Sequence, residues 1–547
     1  MNMLSILRAL SRRRNHQSKR SVRMPLQKRW PRRPRLEVLD DRINPAGTVL
    51  ATFAAGGLVL TGDAADNAFE ITQGADDRLM IGGFPGTQVR LNGGPALNAV
   101  ILPAPVTTGV TVNLGAGADL LNVTGVDLPR LTINGGDGDN RYNFQSVAVR
   151  GSLLVASGAG FDRTNLLGPV TVAGGLTIAN GAGGSLLGDD PSTNLRVTGA
   201  LTITNGAGAD TVNLVNASRI TAGRIVVSHG TGPGPHTTNF SPTQALTVGT
   251  AFRVTAGAGS DSVTLGGGIV AVGRSIALNL GAGGSNVHLE PSTSLSVGGM
   301  VSVTAAADGD TVQVGSALAP TAIGGGVFAN VGDGGSFVLI TGSQLTVGGP
   351  VRVSAGAGQD SVNLTSQAGD GVVGGGVTVG LGTGINQAVS VIANTPGTSL
   401  AIGGGLRIAT ASNPPGPGGD FIQLMAARVG LGTSIVTGIG ADIVMVNDSS
   451  FGGSFNLATS AGNDSIEIER LGTSGTTQFR GAVRVSTGAG DDTVRVGSSV
   501  AGVNQALFAA ASTWDGGAGT NDIIAVQSAG NLFYGAAAAL AAFETAG

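Results

Sequence analysis

The sequence contains no cysteine. That absence excludes disulfides, thiolate nucleophiles and cysteine-ligated zinc; it says little about compartment, since bacterial exported proteins often do without cysteine. Lysine is confined to Lys19 and Lys28. Charged residues are only 12% of the chain, about half the usual ~25%. Aromatics are 4%, with two Trp and two Tyr in all, so the stacking platforms of a sugar-binding cleft are scarce. No run of about 18 apolar residues occurs, and no transmembrane helix is expected. The longest candidate, Leu532 to Phe543, is short and mostly alanine.

The charge that is present divides sharply. Residues 1–42 hold thirteen of the 31 basic residues and three of the 34 acids, Glu37, Asp40 and Asp41. The formal net charge of −3 therefore hides a basic head and an acidic, lysine-free body. Such a body is a poor nucleic-acid ligand, because neutralising phosphates takes basic clusters. Thr, Ser, Asn and Gln fill the outward strand positions instead of charges.

Glycine is abundant, 94 of 547 residues. There is no G-X-Y triplet, which excludes collagen, and the Val/Leu/Ile content argues against a disordered linker. The glycines mark a repeat, clearest in Leu345 to Leu364, LTVGGPVRVSAGAGQDSVNL. It reads as strand, Gly-Gly corner, strand, Gly-Ala-Gly corner, Asp, strand. Val351, Val353, Val362 and Leu364 alternate with polar neighbours, the period-2 pattern of half-buried strands, and are expected to point inward. Asp360 closes the corner, where a carboxylate can accept nearby backbone N–H groups.

The fifth position of each G-x-G-x-[DNS] corner forms a ladder: Asp119, Asn140, Asp162, Ser185, Asp210, Gly234, Asp261, Ser285, Asp310, Ser336, Asp360, Asn386, Asp420, Asp442, Asp464, Asp492 and Asn521. The mean interval is about 25 residues, which marks a solenoid. Each period holds three short strand-like runs. The expected fold is an all-β parallel β-solenoid (β-helix) of about seventeen coils. Asp alternates with Asn, Ser or Gly over much of the ladder, which relieves repulsion between carboxylates stacked ~4.8 Å apart.

Residues 1–46 read as a basic targeting head and 47–105 as an N-terminal β cap without the repeat. The solenoid runs over 106–522, and 523–547 is a C-terminal cap that ends in a short helix over Ala536 to Ala542. An insertion, Ser412-Asn413-Pro414-Pro415-Gly416-Pro417, is expected to bulge out as a loop, since prolines cannot donate to a ladder.

The head lacks an ordinary secretory core, because Arg8 interrupts its one apolar piece, Met3 to Leu10. Leu36-Glu37-Val38-Leu39-Asp40-Asp41-Arg42-Ile43-Asn44-Pro45-Ala46 resembles the LExLEDRxxPA segment near the N-terminus of many large planctomycete proteins thought to be exported. Asp40 stands where that family usually has Glu. The resemblance implies an extracellular or cell-envelope location, with Glu37, Asp41 and Arg42 in recognition or processing.

Asp420, Asp442, Asp464 and Asp492 occupy four successive corners, where the alternation fails, and are the candidate metal ligands. Hard oxygen donors from adjacent coils suit Ca²⁺; the alternative is carboxylates fanned into water. G-x-G-x-D also resembles the hemolysin-type calcium nonapeptide, although here it recurs about every 25 residues rather than nine. His16, His229, His236 and His288 show no ligand spacing, and His229 and His236 read as solvated loop residues. Asp189-Asp190 and Asp491-Asp492 are paired acids at Gly corners, without consistent basic or aromatic company. The expected function is a structural or adhesive surface solenoid without catalytic activity, its partner an unknown surface or matrix component and not nucleic acid. The alternatives are a polysaccharide-active β-helix enzyme and a calcium-stabilised secreted module.

Overall fold

The computed structural model describes residues 47–411, 418–470, 475–497, 504–526, 531–533, 538–543 and 545–546. The targeting head and the insertion at 412–417 lie outside the described residues. The body is all-β, with about sixteen parallel turns. At ~4.8 Å per turn the stack is about 80 Å long.

Each coil lays chain along three parallel faces; from Ala245 onward this takes three strands per coil, whereas in earlier coils two runs merge into one long strand, as in Leu120–Leu128 and Asn194–Thr204. The first face follows the corner residue, as in Ser361–Ser366; the second is Gly371–Val373; the third is Val377–Leu381, which leads into the next corner. Pairing is in register from coil to coil. Val362 sits over Val389 and Leu364 over Val391, Val373 over Ile402, and Val377 over Leu406. Because side chains alternate between faces of a strand, one inward column per position becomes a continuous apolar core. Val351, Val353, Val362 and Leu364 are 1–3% exposed, pointing inward as expected. The outer positions carry polar ladders; Asn165 Nδ2 donates to Asn143 Oδ1 at 2.7 Å and Asn143 Nδ2 to Asn122 Oδ1 at 2.8 Å.

Residues 48–101 pair differently. Thr48–Ala54 is antiparallel to Gly57–Thr61, and Ala68–Gln73 is antiparallel to Leu79–Gly83. Gly57–Thr61 and Ala68–Gln73 also pair in parallel with the first regular coil, at Gly109–Asn113 and Leu120–Leu128. At the other end the solenoid continues beyond 522. Ile523–Val526 pairs in parallel with Thr493–Val496, and Ala539–Ala541 with Ser512–Asp515. The helix expected over Ala536 to Ala542 is therefore replaced, where described, by a strand; an available parallel edge overrides alanine's helix preference.

Corner glycines are required where coils approach. Gly462 has φ +143°, and a Cβ there would lie 2.0 Å from the Gly440 carbonyl oxygen one coil below. Gly462→Ala meets both a backbone conformation forbidden to it and a backbone clash. Chemical denaturation should find it destabilised by more than about 1 kcal/mol.

Candidate functional site

The corner residues are inside the solenoid. Asp420 and Asp442 are each 1% exposed, Asp464 2% and Asp492 0%. The reading of carboxylates fanned into water is corrected: the hydrophobic phase of each following strand turns the corner side chain inward.

Their hydrogen bonds run between coils rather than within their own corner. The backbone N–H of each rung donates to the side chain of the next. Asp420 N donates to Asp442 Oδ1 at 2.7 Å, Asp442 N to Asp464 Oδ1 at 2.8 Å, Asp464 N to Asp492 Oδ1 at 2.8 Å, and Asp492 N to Asp522 Oδ1 at 2.8 Å. The alternating coils use the same scheme with mixed partners: Asp310 N donates to Ser336 Oγ, and Ser336 N to Asp360 Oδ1. The four candidate ligands are thus one continuous row, joined at its end by a fifth carboxyl, Asp522.

The second atom of each side chain distinguishes Asn from Asp. Asn140 Nδ2 donates to the Gly138 and Gly136 carbonyls of its own corner, 3.1 and 3.4 Å away; Asn67 Nδ2 donates to Ala65 O at 2.7 Å. This corner therefore presents acceptors to the inner atom. Oδ2 of Asp442, Asp464 and Asp492 has no hydrogen-bond donor. A carboxylate there is poorly satisfied, whereas a protonated carboxyl or a carboxylate holding a cation is not. Burial accordingly raises these groups. Asp464 is pushed up to about 7 by desolvation, opposed by the Asp442 N–H and the nearby Thr459 hydroxyl, which itself donates to Thr487 O, and assisted by the charges of Asp442 and Asp492. Asp442 is raised by desolvation to about 6, and Asp492 is raised for the same reason. Asp119, Asp162 and Asp261 also reach about 6, each chiefly by burial.

For calcium, the row offers one carboxylate oxygen per coil plus corner carbonyls. A full shell takes six to eight oxygens, and Oδ1 of each of the four already accepts a backbone N–H. The donor set is chemically right for a hard cation and small in number.

Three rungs differ from the sequence ladder. His236, 1% exposed, replaces Gly234 and pairs in register with Asp261. Gln387 replaces Asn386; it is fully buried and its N–H donates to Asp420 Oδ1 at 3.1 Å. Asp522 replaces Asn521. Counting back two residues from the first inward side chain of the strand (Thr238, Val389, Ile524) finds each one; counting forward from the glycines does not.

The histidines also differ from expectation. His229 and His236 are buried, at 6% and 1% exposure, and their rings stack with centroids 4.8 Å apart. His236 Nδ1 lies 3.4 Å from Asp210 Oδ2. Burial lowers His229 to about 3, with the neighbouring His236 adding to the shift. These three form the one group of three or more His, Asp or Glu side chains among the described residues whose ligand atoms all lie within 4.8 Å of one another. The spacing of the histidines carries no known signature, and only the strand phase places both inside.

The paired acids hold turns. Asp189 Oδ2 accepts Ala217 N at 2.7 Å from the next coil, Asp190 Oδ1 accepts Ser192 N at 3.0 Å, and Asp491 Oδ1 accepts Thr520 N at 3.2 Å. On the outside, an open hollow of ≈ 430 Å³ runs across the third face between Ser434 and Ala541, lined by Arg484, Asp515 and aliphatic side chains. Trp514 beneath it is turned into the core at 1% exposure, and Tyr142 is fully buried. Among the described residues no helix is long and apolar enough to cross a membrane. No family model, curated protein or solved structure matches the chain.

Proposed function

We propose that the chain is an exported or cell-surface β-solenoid with a structural or adhesive role and no catalytic activity. The observation that carries this reading is the direction of its chemistry. Titratable corner side chains face inward and act as rungs, while the outside carries polar ladders such as Asn122, Asn143 and Asn165 among scattered exposed aliphatics. A polysaccharide-active enzyme needs paired acids beside aromatic platforms on an outer face. Here the paired acids hold turns, and the described Trp and Tyr are buried. The acidic, lysine-free body supports a partner other than nucleic acid.

Export rests on the Leu36–Ala46 resemblance and the charge break that follows it. Cells expressing the full chain should place it in the envelope or medium, and cells expressing a chain without residues 1–46 should retain it inside. The same external location for both forms contradicts a targeting head. Calcium stabilisation is the second reading, favoured by the donor-free Oδ2 atoms of Asp442, Asp464 and Asp492, in the row that begins at Asp420 beside the corner carbonyls; its test is melting with and without millimolar calcium.

A further inference from the structure

We propose that Asp210, His229 and His236 bind one divalent transition metal of the zinc class, clamping two coils where the corner ladder is interrupted. The three side chains offer ligand atoms that all lie within 4.8 Å of one another, and all three are more than nine-tenths buried.

The geometry of the central pair fits the metal. Asp210 Oδ2 and His236 Nδ1 are 3.4 Å apart. Neither makes a hydrogen bond, and His236 Nε2 makes none either. Zinc bonds of about 2.0–2.1 Å to nitrogen and oxygen at tetrahedral angles put two ligands about 3.3 Å apart. The observed gap is that edge. Leaving three buried polar atoms without partners is costly, and one cation placed between Asp210 and His236 satisfies two of them.

His229 supplies the third ligand after a small exchange. Asn205 Oδ1 accepts from Asn180 Nδ2 at 2.8 Å and Ser185 Oγ at 3.2 Å, which directs Asn205 Nδ2 to His229 Nδ1 at 3.0 Å. His229 Nδ1 is therefore the lone-pair nitrogen, and Nε2–H donates to Thr238 Oγ1 at 2.7 Å. A ligating imidazole usually donates its far ring N–H to an oxygen acceptor that fixes its orientation, and Thr238 Oγ1 fills that place here. Binding requires His229 Nδ1 to trade Asn205 for the metal and its ring, now stacked at 14° on His236, to tilt until both lone pairs meet the ion.

The place in the fold gives the site its purpose. In most coils a backbone N–H reaches the next corner side chain, but around Asp210 the ladder lapses: Asp162, Ser185 and His236 N–H groups go to backbone carbonyls instead, and no such bond joins Asp210 N to His236. A metal held by Asp210 and His236 restores the link between these coils. It would enter through the corner loop 230–235, where Thr231, Pro233 and Pro235 are exposed. Two imidazoles and one carboxylate favour zinc, cobalt or nickel over calcium, which takes oxygen ligands.

The full chain, stripped with a chelator, is titrated at pH 7.5 with Zn²⁺ by calorimetry and with Co²⁺ by visible absorption. One equivalent of either should bind, with a rise in melting temperature and cobalt bands of a low-coordinate site, while excess Ca²⁺ leaves binding unchanged. Asp210→Asn and His236→Asn should each weaken binding at least tenfold. His236→Asn puts in this corner the residue that Asn140 already uses, so its fold is checked by circular dichroism and its melting without metal. His288→Ala, on a half-exposed histidine elsewhere, should bind as wild type. No uptake by the wild-type chain, or uptake by folded His236→Asn with wild-type affinity, overturns the assignment.

Discussion

Replacing Phe479 by alanine should cost about 3–5 kcal/mol, the range for a fully buried aromatic whose site cannot collapse. Phe479 is 1% exposed. Its ring stacks on Phe451 at 5.2 Å and 13° and on Phe508 at 5.0 Å and 9°, and meets Phe455 edge-on at 5.1 Å. Phe508 in turn meets the edge of Trp514 at 5.9 Å. These rings come from consecutive coils in register, Phe451 over Phe479 and Phe479 over Phe508. Strand pairing holds the backbones ~4.8 Å apart, so neighbouring side chains cannot move in to fill the void. A solenoid's stability is a sum of coil and nearest-neighbour terms, so the loss should be local. Hydrogen exchange should show protection falling between Phe451 and Trp514 while the coils before Asp310 keep theirs. An even loss along the chain, or a cost under 1 kcal/mol, would contradict this account of the core.

The second large effect is on pH dependence, and its sign is opposite to ordinary acid denaturation. Asp464 is raised from 3.8 to about 7 and Asp442 to about 6. Glu469, buried and accepting from Thr477 and the Asp448 N–H, is raised from 4.5 to about 7 by desolvation. Below about pH 4 these groups are protonated in both states. Between there and their folded values the unfolded chain gives up protons that the folded chain keeps, so stability falls as pH rises. Melting temperature should therefore be higher at pH 5 than at pH 8. Asp464→Asn should raise it at pH 8 and change it little at pH 5, because asparagine keeps the oxygen that accepts Asp442 N and donates to its corner as Asn140 does. Millimolar calcium at pH 8 separates the two ways of neutralising the row. A rise in wild type that Asp464→Asn abolishes assigns it to calcium; no rise leaves it to protons.

The coil was legible in sequence because period-2 alternation and glycine corners recur together. Val351, Val353, Val362 and Leu364 sit where that pattern puts them. What the corner residues do was less legible. Asp, Asn and Ser after Gly-x-Gly also occur in solvated turns, and only the stacking of coils makes Asp442 and Asp464 internal. Gly234, Asn386 and Asn521 were one or two positions out of phase, since corner length varies while the strand's phase does not. His229 and His236 flank a Gly/Pro loop that reads as exposed. Their burial follows from the phase of the two flanking strands, which the loop sequence itself does not signal. Alanines near the C-terminus suggest a helix until a parallel edge is there to pair with them.

The most direct test of the internal carboxyl ladder is an infrared titration of the full chain from pH 4 to 9. Ordinary carboxyls lose the carbonyl band of the protonated acid near pH 4. The ladder predicts that part of this band persists at pH 6, is only half lost around pH 7, is gone by about pH 9 and is weakened in Asp464→Asn. Complete loss of the band by pH 5 would contradict a buried, proton-holding row.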